Sequence, residues 1–132
     1  MTDTTIRKIA GCLIRDNKLL VVRKKGKDIY TSLGGRPEPG ETEEETLRRE
    51  VKEEIDCEVT TSTYLGTFEE KAVFDDAIVQ LVSYVIDIKG TPRLSDSELE
   101  ELKWVAANEE PRLADGLKKH IVPALLKEGL LK

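Results

Sequence analysis

The sequence predicts an α/β fold, a mixed β-sheet held between helices. Three observations predict it. Runs rich in β-branched and apolar residues recur on both sides of one mid-chain amphipathic segment. The longest of these runs, 77–88 (AIVQLVSYVIDI), is nearly continuous in apolar character, as a strand covered on both faces would be. The chain has 132 residues, enough for one domain with one sizeable core, and no internal repeat or linker divides it.

The elements follow in order. Residues 5–15 (TIRKIAGCLIR) read as a strand, Asp16-Asn17 as a turn, and 18–25 (KLLVVRKK) as its hairpin partner. Tyr30 to Leu33 is a short strand feeding a loop in which Gly34, Gly35, Pro37, Pro39 and Gly40 crowd together. Thr42 and Glu45 make a T-x-x-E capping box, so a helix starts near Glu43 and runs to about 55. Residues 57–69 and 77–88 are strands, with Asp75-Asp76 marking the turn between them. A loop spans 89–97, and 100–106 (ELKWVAA) is the last strand. Asn108 is expected to cap a short helix reaching about Ala114. A final helix covers about 116–127, kinked or restarted by Pro123.

Composition narrows the class. Hydrophobic residues make up 39% and charged residues 36%, as in water-soluble globular domains. The net charge of −5 and the lack of a basic stripe argue against a general nucleic-acid binder. It also means that an anionic ligand needs a cation or local basic residues to be attracted. No apolar run approaches the length of a membrane span, and the first residues lack a signal-peptide core. A cytoplasmic protein is expected. Cys12 and Cys57 both sit in apolar patterns and are expected to be reduced, buried thiols. His120 stands alone on a C-terminal amphipathic stretch, as a surface or packing residue.

The helix over 43–55 carries the chemistry. At 100° per residue Leu47, Val51 and Ile55 form one stripe, and Glu50, Glu53 and Glu54 an adjacent one. The carboxylates are therefore expected at the rim of whatever the helix packs against. Three like charges on one face repel, a cost that makes sense if a hard divalent cation binds there. Glu44–Arg48 and Glu45–Arg49 are spaced as i,i+4 ion pairs.

Split by role, the segment reads Gly35, five residues, Glu41, seven residues, then Arg49-Glu50-Val51-x-Glu53-Glu54. It closely resembles the Nudix box, G-x5-E-x7-R-E-U-x-E-E-x-G-U, with U a bulky aliphatic residue. Every fixed position matches except the last glycine, which is Asp56, and the final U, filled by Cys57. The resemblance implies an α/β/α sandwich over residues 1–132 and hydrolysis of a nucleoside diphosphate linked to another group. It implies Mg²⁺ or Mn²⁺ as cofactor, with Glu53 and Glu54 as ligands, Glu50 as a further ligand or the base, and the Gly35 carbonyl within reach. Arg49 would hold the glutamates, and Glu41 would anchor the loop. Some family members take their base from a loop outside the box, and Glu98 or Glu101, before Trp104, resembles that residue. Arg23 resembles a phosphate-contacting position, and Arg36, Gly34 and Gly35 would shape the substrate site.

Tyr30 stands where many members have Trp, and Leu33 where Pro is common. The proline that marks ADP-ribose hydrolases is not found in KAVFDD, and Phe74 lies near the tyrosine of dinucleoside polyphosphate hydrolases. By elimination the chain looks most like the MutT-type group, which acts on nucleoside triphosphates, oxidised purine forms included. The expected partner is a small nucleotide, with no nucleic acid and no membrane, for a monomer or a homodimer. A glycine at position 56 would end the helix in a left-handed turn, so Asp56→Gly is expected to stabilise.

Overall fold

The computed structural model describes residues 4–72, 76–109 and 111–132. Seven strands form one mixed sheet: β1 (Thr5–Arg15), β2 (Lys18–Lys24), β3 (Tyr30–Thr31), β4 (Leu33–Gly35), β5 (Glu58–Lys71), β6 (Ile78–Lys89) and β7 (Leu99–Val105). Helix α1 (Glu43–Ile55) lies between β4 and β5. A π-helical turn (Leu117–Ile121) runs directly into α2 (Val122–Lys127).

β1 is the spine. It pairs parallel with β6 over Thr5↔Ile78 to Leu13↔Ile86, and antiparallel with β2 and β4. β5 closes one side of β6, and β7 pairs with β2. The hairpin turn at Asp16 and Asn17 has φ of 51° and 60°, the left-handed pair that short hairpins require and that Asp and Asn tolerate. The longest unbroken buried stretch is in β1, from Ile9 to Leu13, whereas β6 is fully buried over Leu81–Ser83 and more open on either side.

Alternation along the strands splits the core into two layers. Ile9, Leu13, Leu20 and Val22 face α1 and meet Leu47, Val51 and Ile55. Ala10, Cys12, Leu19 and Val21 face the other way and meet Leu117, Ile121 and Leu125. This is the expected sheet between helices. Each of the three α1 side chains is wholly buried, and each contributes roughly 1.5–3 kcal/mol. Trp104 and Tyr84 pack against the α1 layer as core residues. Pro123 lies at the start of α2, directly after the π-helical turn; its missing N–H is tolerated in a first turn.

Two expectations change. The run Tyr30–Leu33 is two strands, because Tyr30–Thr31 pairs with β2 and Leu33–Gly35 crosses to β1. Residues 108–114 form no helix among those described. Tyr30 N–H donates to the Arg112 carbonyl at 2.8 Å, and Ala114 N–H to the Tyr30 carbonyl at 2.9 Å. That backbone is committed to the sheet edge. The expected turn at Asp75 and the position of Phe74 lie outside the described residues.

Both thiols are buried, and burial pushes Cys12 up to about 12 and raises Cys57. Neither is expected to react with Ellman's reagent in the native protein, and both should titrate in urea. A fast-reacting native thiol would contradict this packing.

Candidate active site

The carboxylates are delivered by a helix whose two ends are chemically fixed. Thr42 Oγ1 accepts from Glu45 N–H at 3.1 Å, and Glu45 Oε1 accepts from Thr42 N–H at 2.9 Å, a complete capping box. At the other end Asp56 has φ 55° and ψ 43°, the left-handed helix stop expected at that position. Its carboxylate also holds Lys52 Nζ at 2.9 Å and Arg93 Nη2 at 2.6 Å, and these cations draw its pKa down. Asp56→Gly would relieve strain but lose both partners, which opposes the expected gain in stability.

Between those ends, Arg49 is the hub. Its Nε and Nη2 grip both oxygens of Glu41 at 2.7 and 3.0 Å, a planar fork on a carboxylate. Its Nη1 donates to Glu50 at 2.7 Å and reaches Glu53 at 3.5 Å, while Nη2 also donates to the Arg36 carbonyl at 3.1 Å. One guanidinium therefore ties the glycine loop to the helix. The expected Glu45–Arg49 pair does not form, because Glu45 is spent on the cap. Glu44–Arg48 does form, at 3.1 Å. Glu41 also accepts from Thr46 Oγ1 and Glu38 N–H, and Arg49 holds its carboxyl down at about 2.

The three box glutamates differ in depth. Glu53 is exposed and Glu50 half-buried, but Glu54 is buried, against the expected rim position. It follows Val51 and precedes Ile55 on the inward side of the helix, so the core takes it in. Gly34 N–H donates to Glu54 Oε1 at 2.9 Å. Burial pushes the Glu54 carboxyl up to about 8, opposed by that N–H and by Lys8. Burial also raises Glu50, against the pull of Arg49. Gly35 leaves room for Glu50: a Cβ there would lie 2.6 Å from the Glu50 carboxyl carbon and push that side chain aside.

These residues open on a cavity of about 460 Å³. Gly34, Gly35, Arg36, Arg49, Glu50, Glu54 and Glu98 line it. Glu53, Glu101 and Arg23 are not among its lining residues. Arg23 Nη1 donates to Glu100 at 2.8 Å and its Nε to Glu101 at 3.2 Å, and Tyr30 Oη donates to Glu101 at 2.7 Å. The cation meant for phosphate is held by the carboxylate meant for base, on the neighbouring strand β7. Leu33 is buried in the α1 layer.

Sequence reasoning missed Lys8 and Asp96, which also line the cavity. Lys8 lies among Glu54, Glu50 and Lys24, and burial lowers its pKa. A lysine breaking the otherwise apolar series Ile6, Ala10, Cys12 was the available signal. His120 Nε2 lies 3.0 Å from Glu70 Oε2, with its ring stacked on Phe68, a packing role.

Among the described residues, no three acidic, histidine or cysteine side chains converge tightly enough to hold a metal ion as arranged. The donor set is nevertheless hard oxygen throughout, and the Gly35 cradle admits the Glu50 carboxylate beside the loop backbone. That chemistry suits Mg²⁺ or Mn²⁺. No helix among the described residues is long and apolar enough to cross a membrane.

Known proteins resemble this chain in sequence and in fold. The chain is 28% identical to an ADP-ribose pyrophosphatase of Methanocaldococcus jannaschii over 80% of its own length, and spans 64% of that enzyme. It is 28% identical to the CTP pyrophosphohydrolase of Escherichia coli, over 79% of this chain and 78% of that one. The solution structure of the E. coli ORF135 protein superposes with a TM-score of 0.77 at 25% identity, covering 95% of this chain and 91% of the other. The family profile for the NUDIX domain matches residues 5–125, most of the chain, and the chain belongs to the Nudix hydrolases.

Proposed function

We propose that this enzyme cleaves a nucleoside triphosphate, oxidised purine forms included, to the monophosphate and pyrophosphate. The observation that carries the reading is the shared cavity. Glu50 and Glu54 line it, with Glu53 beside them on α1, and Lys24, Arg36, Arg49 and Lys71 bring positive charge to the same space. On a chain with net charge −5, such cations are what would draw a polyphosphate in.

Glu50, Glu53, Glu54 and the Gly35 backbone are the residues that would hold Mg²⁺ or Mn²⁺. Such an ion, when bound, screens the phosphate charge and lowers the pKa of attached water. Arg49 keeps Glu50 and Glu53 from splaying apart. Glu50 or Glu98 would accept the proton of the attacking water, since both line the cavity. The likeness to a CTP pyrophosphohydrolase supports a triphosphate substrate. The likeness to an ADP-ribose pyrophosphatase favours a second reading, a nucleoside diphosphate conjugate, which the missing proline in residues 71–76 speaks against.

Hydrolysis of a nucleotide panel in ¹⁸O-labelled water with Mg²⁺ decides between them. Label is expected in monophosphate or pyrophosphate, with little free phosphate. Dominant release of single phosphate would contradict the reading, and turnover confined to ADP-ribose would move it to the second class.

A further inference from the structure

We propose that Asp56 and Arg93 form a clasp that positions the loop 90–98, and so holds Asp96 and Glu98 against the carboxylate wall of the cavity. The inference rests on the reaction proposed above and adds two positioning residues to it. Asp56 stands where the box has glycine, so it carries a group that the usual helix stop lacks.

That group does something specific. Both Nε and Nη2 of Arg93 donate to one oxygen of Asp56, at 3.0 and 2.6 Å. The backbone follows the side chain in. Arg93 N–H donates to the Ile55 carbonyl at 3.1 Å, and Ser95 N–H to the Glu54 carbonyl at 3.0 Å. Both acceptors belong to the last turn of α1, whose carbonyls have no partner within the helix. Three stitches therefore fasten the loop to the residues that carry the buried glutamate.

Immediately beyond the stitches the loop enters the cavity. Asp96 Oδ1 accepts from Glu98 N–H at 2.8 Å, and the Asp96 carbonyl accepts from Leu99 N–H at 3.1 Å. This tight turn sets Asp96 and Glu98 among the lining residues with Glu50 and Glu54. Lys25 N–H then ties the Glu98 carbonyl to the end of β2 at 2.9 Å. The far end of the loop is held by the sheet, and the near end by the clasp. Lys52 takes the other oxygen of Asp56 but belongs to α1 itself, so it does not reach the loop.

The test uses the full chain with Asp56→Gly, Arg93→Ala, Arg93→Lys and, as control, Lys52→Ala. Hydrogen exchange at the Arg93 and Ser95 amides should quicken about tenfold in the Asp56→Gly and Arg93→Ala variants, since a local opening loses its restraint. The Asp56→Gly urea midpoint should stay near that of wild type. Turnover of a nucleoside triphosphate should fall about fivefold in kcat with KM little changed. Arg93→Lys should recover part of it, and Lys52→Ala should match wild type. Unchanged exchange at both amides would overturn the clasp. Faster exchange with unchanged kcat would overturn its positioning role, as would a kcat loss that simply follows loss of stability. If wild type turned over no nucleotide, the proposed reaction would fail, while the exchange data would still decide the clasp.

Discussion

Glu54→Gln is expected to lower turnover by roughly a thousandfold, because a ligand lost from the site costs several kcal/mol in the transition state. The fold should survive. Glutamine keeps the shape, and its amide oxygen can still accept the Gly34 N–H that Glu54 takes at 2.9 Å. Stability gives an independent signature. The Glu54 carboxyl moves from an ordinary value of 4.5 to about 8 on burial. A carboxyl raised in the folded state makes folding take up a proton, so the metal-free protein should lose stability as pH rises through that window. Glutamine cannot titrate, and the variant should show a flatter profile and no lower a urea midpoint at neutral pH. Glu53→Gln should be as inactive with less effect on stability, since Glu53 is exposed. Wild-type-like turnover of either variant at saturating Mg²⁺ would sink the site assignment.

The second large effect is on folding. Gly34→Ala should destabilise by roughly 4 kcal/mol or more, the range reserved for forced backbone conformations and clashes without escape. Gly34 has φ +116°, and a Cβ there would stand 1.9 Å from the Ile9 carbonyl oxygen. That oxygen is backbone of β1, where Ala10 pairs with Gly34, so no rotamer change makes room. Gly40 is the control: its φ is +80°, but nothing lies within 4 Å, and alanine should cost only about 1 kcal/mol. Gly35→Ala meets the tip of a flexible side chain, Glu50, and should damage catalysis more than stability. Urea unfolding of the three variants separates these cases. A Gly34→Ala protein as stable as Gly40→Ala would mean that the β1–β4 junction is not built this way.

What the sequence made legible was whatever depends on near neighbours. The capping box, the hairpin turn at Asp16 and Asn17, the left-handed Asp56 and the order of strands all follow from spacings of a few residues. The two-layer sandwich follows from alternation. Misreadings arose where a side chain had a choice of partner. Arg49 could pair with Glu45 one turn away, yet takes Glu41 because the cap already holds Glu45. Arg23 faces Glu101 only because β7 returns to lie beside β2. Asp96 reaches the cavity because Arg93 and Ser95 are stitched to α1, a contact no local pattern announces. Residues 108–114 looked helical on a cap signal alone, while the edge at Tyr30 offered their backbone a better set of partners.

The parallel pairing of β1 with β6 has a consequence for how the chain reaches this state. More than half the sequence lies between Thr5 and its partner Ile78. Closing so long a loop must be paid in chain entropy before any contact rewards it, and such topologies fold slowly. Helix α1, by contrast, has a complete cap and backbone bonds that span only a few residues. The wall of the cavity needs Gly34 of β4 against Glu54, and β4 is placed by its pairing with β1. The acidic helix is local information, whereas the environment around it depends on contacts between segments far apart in the chain.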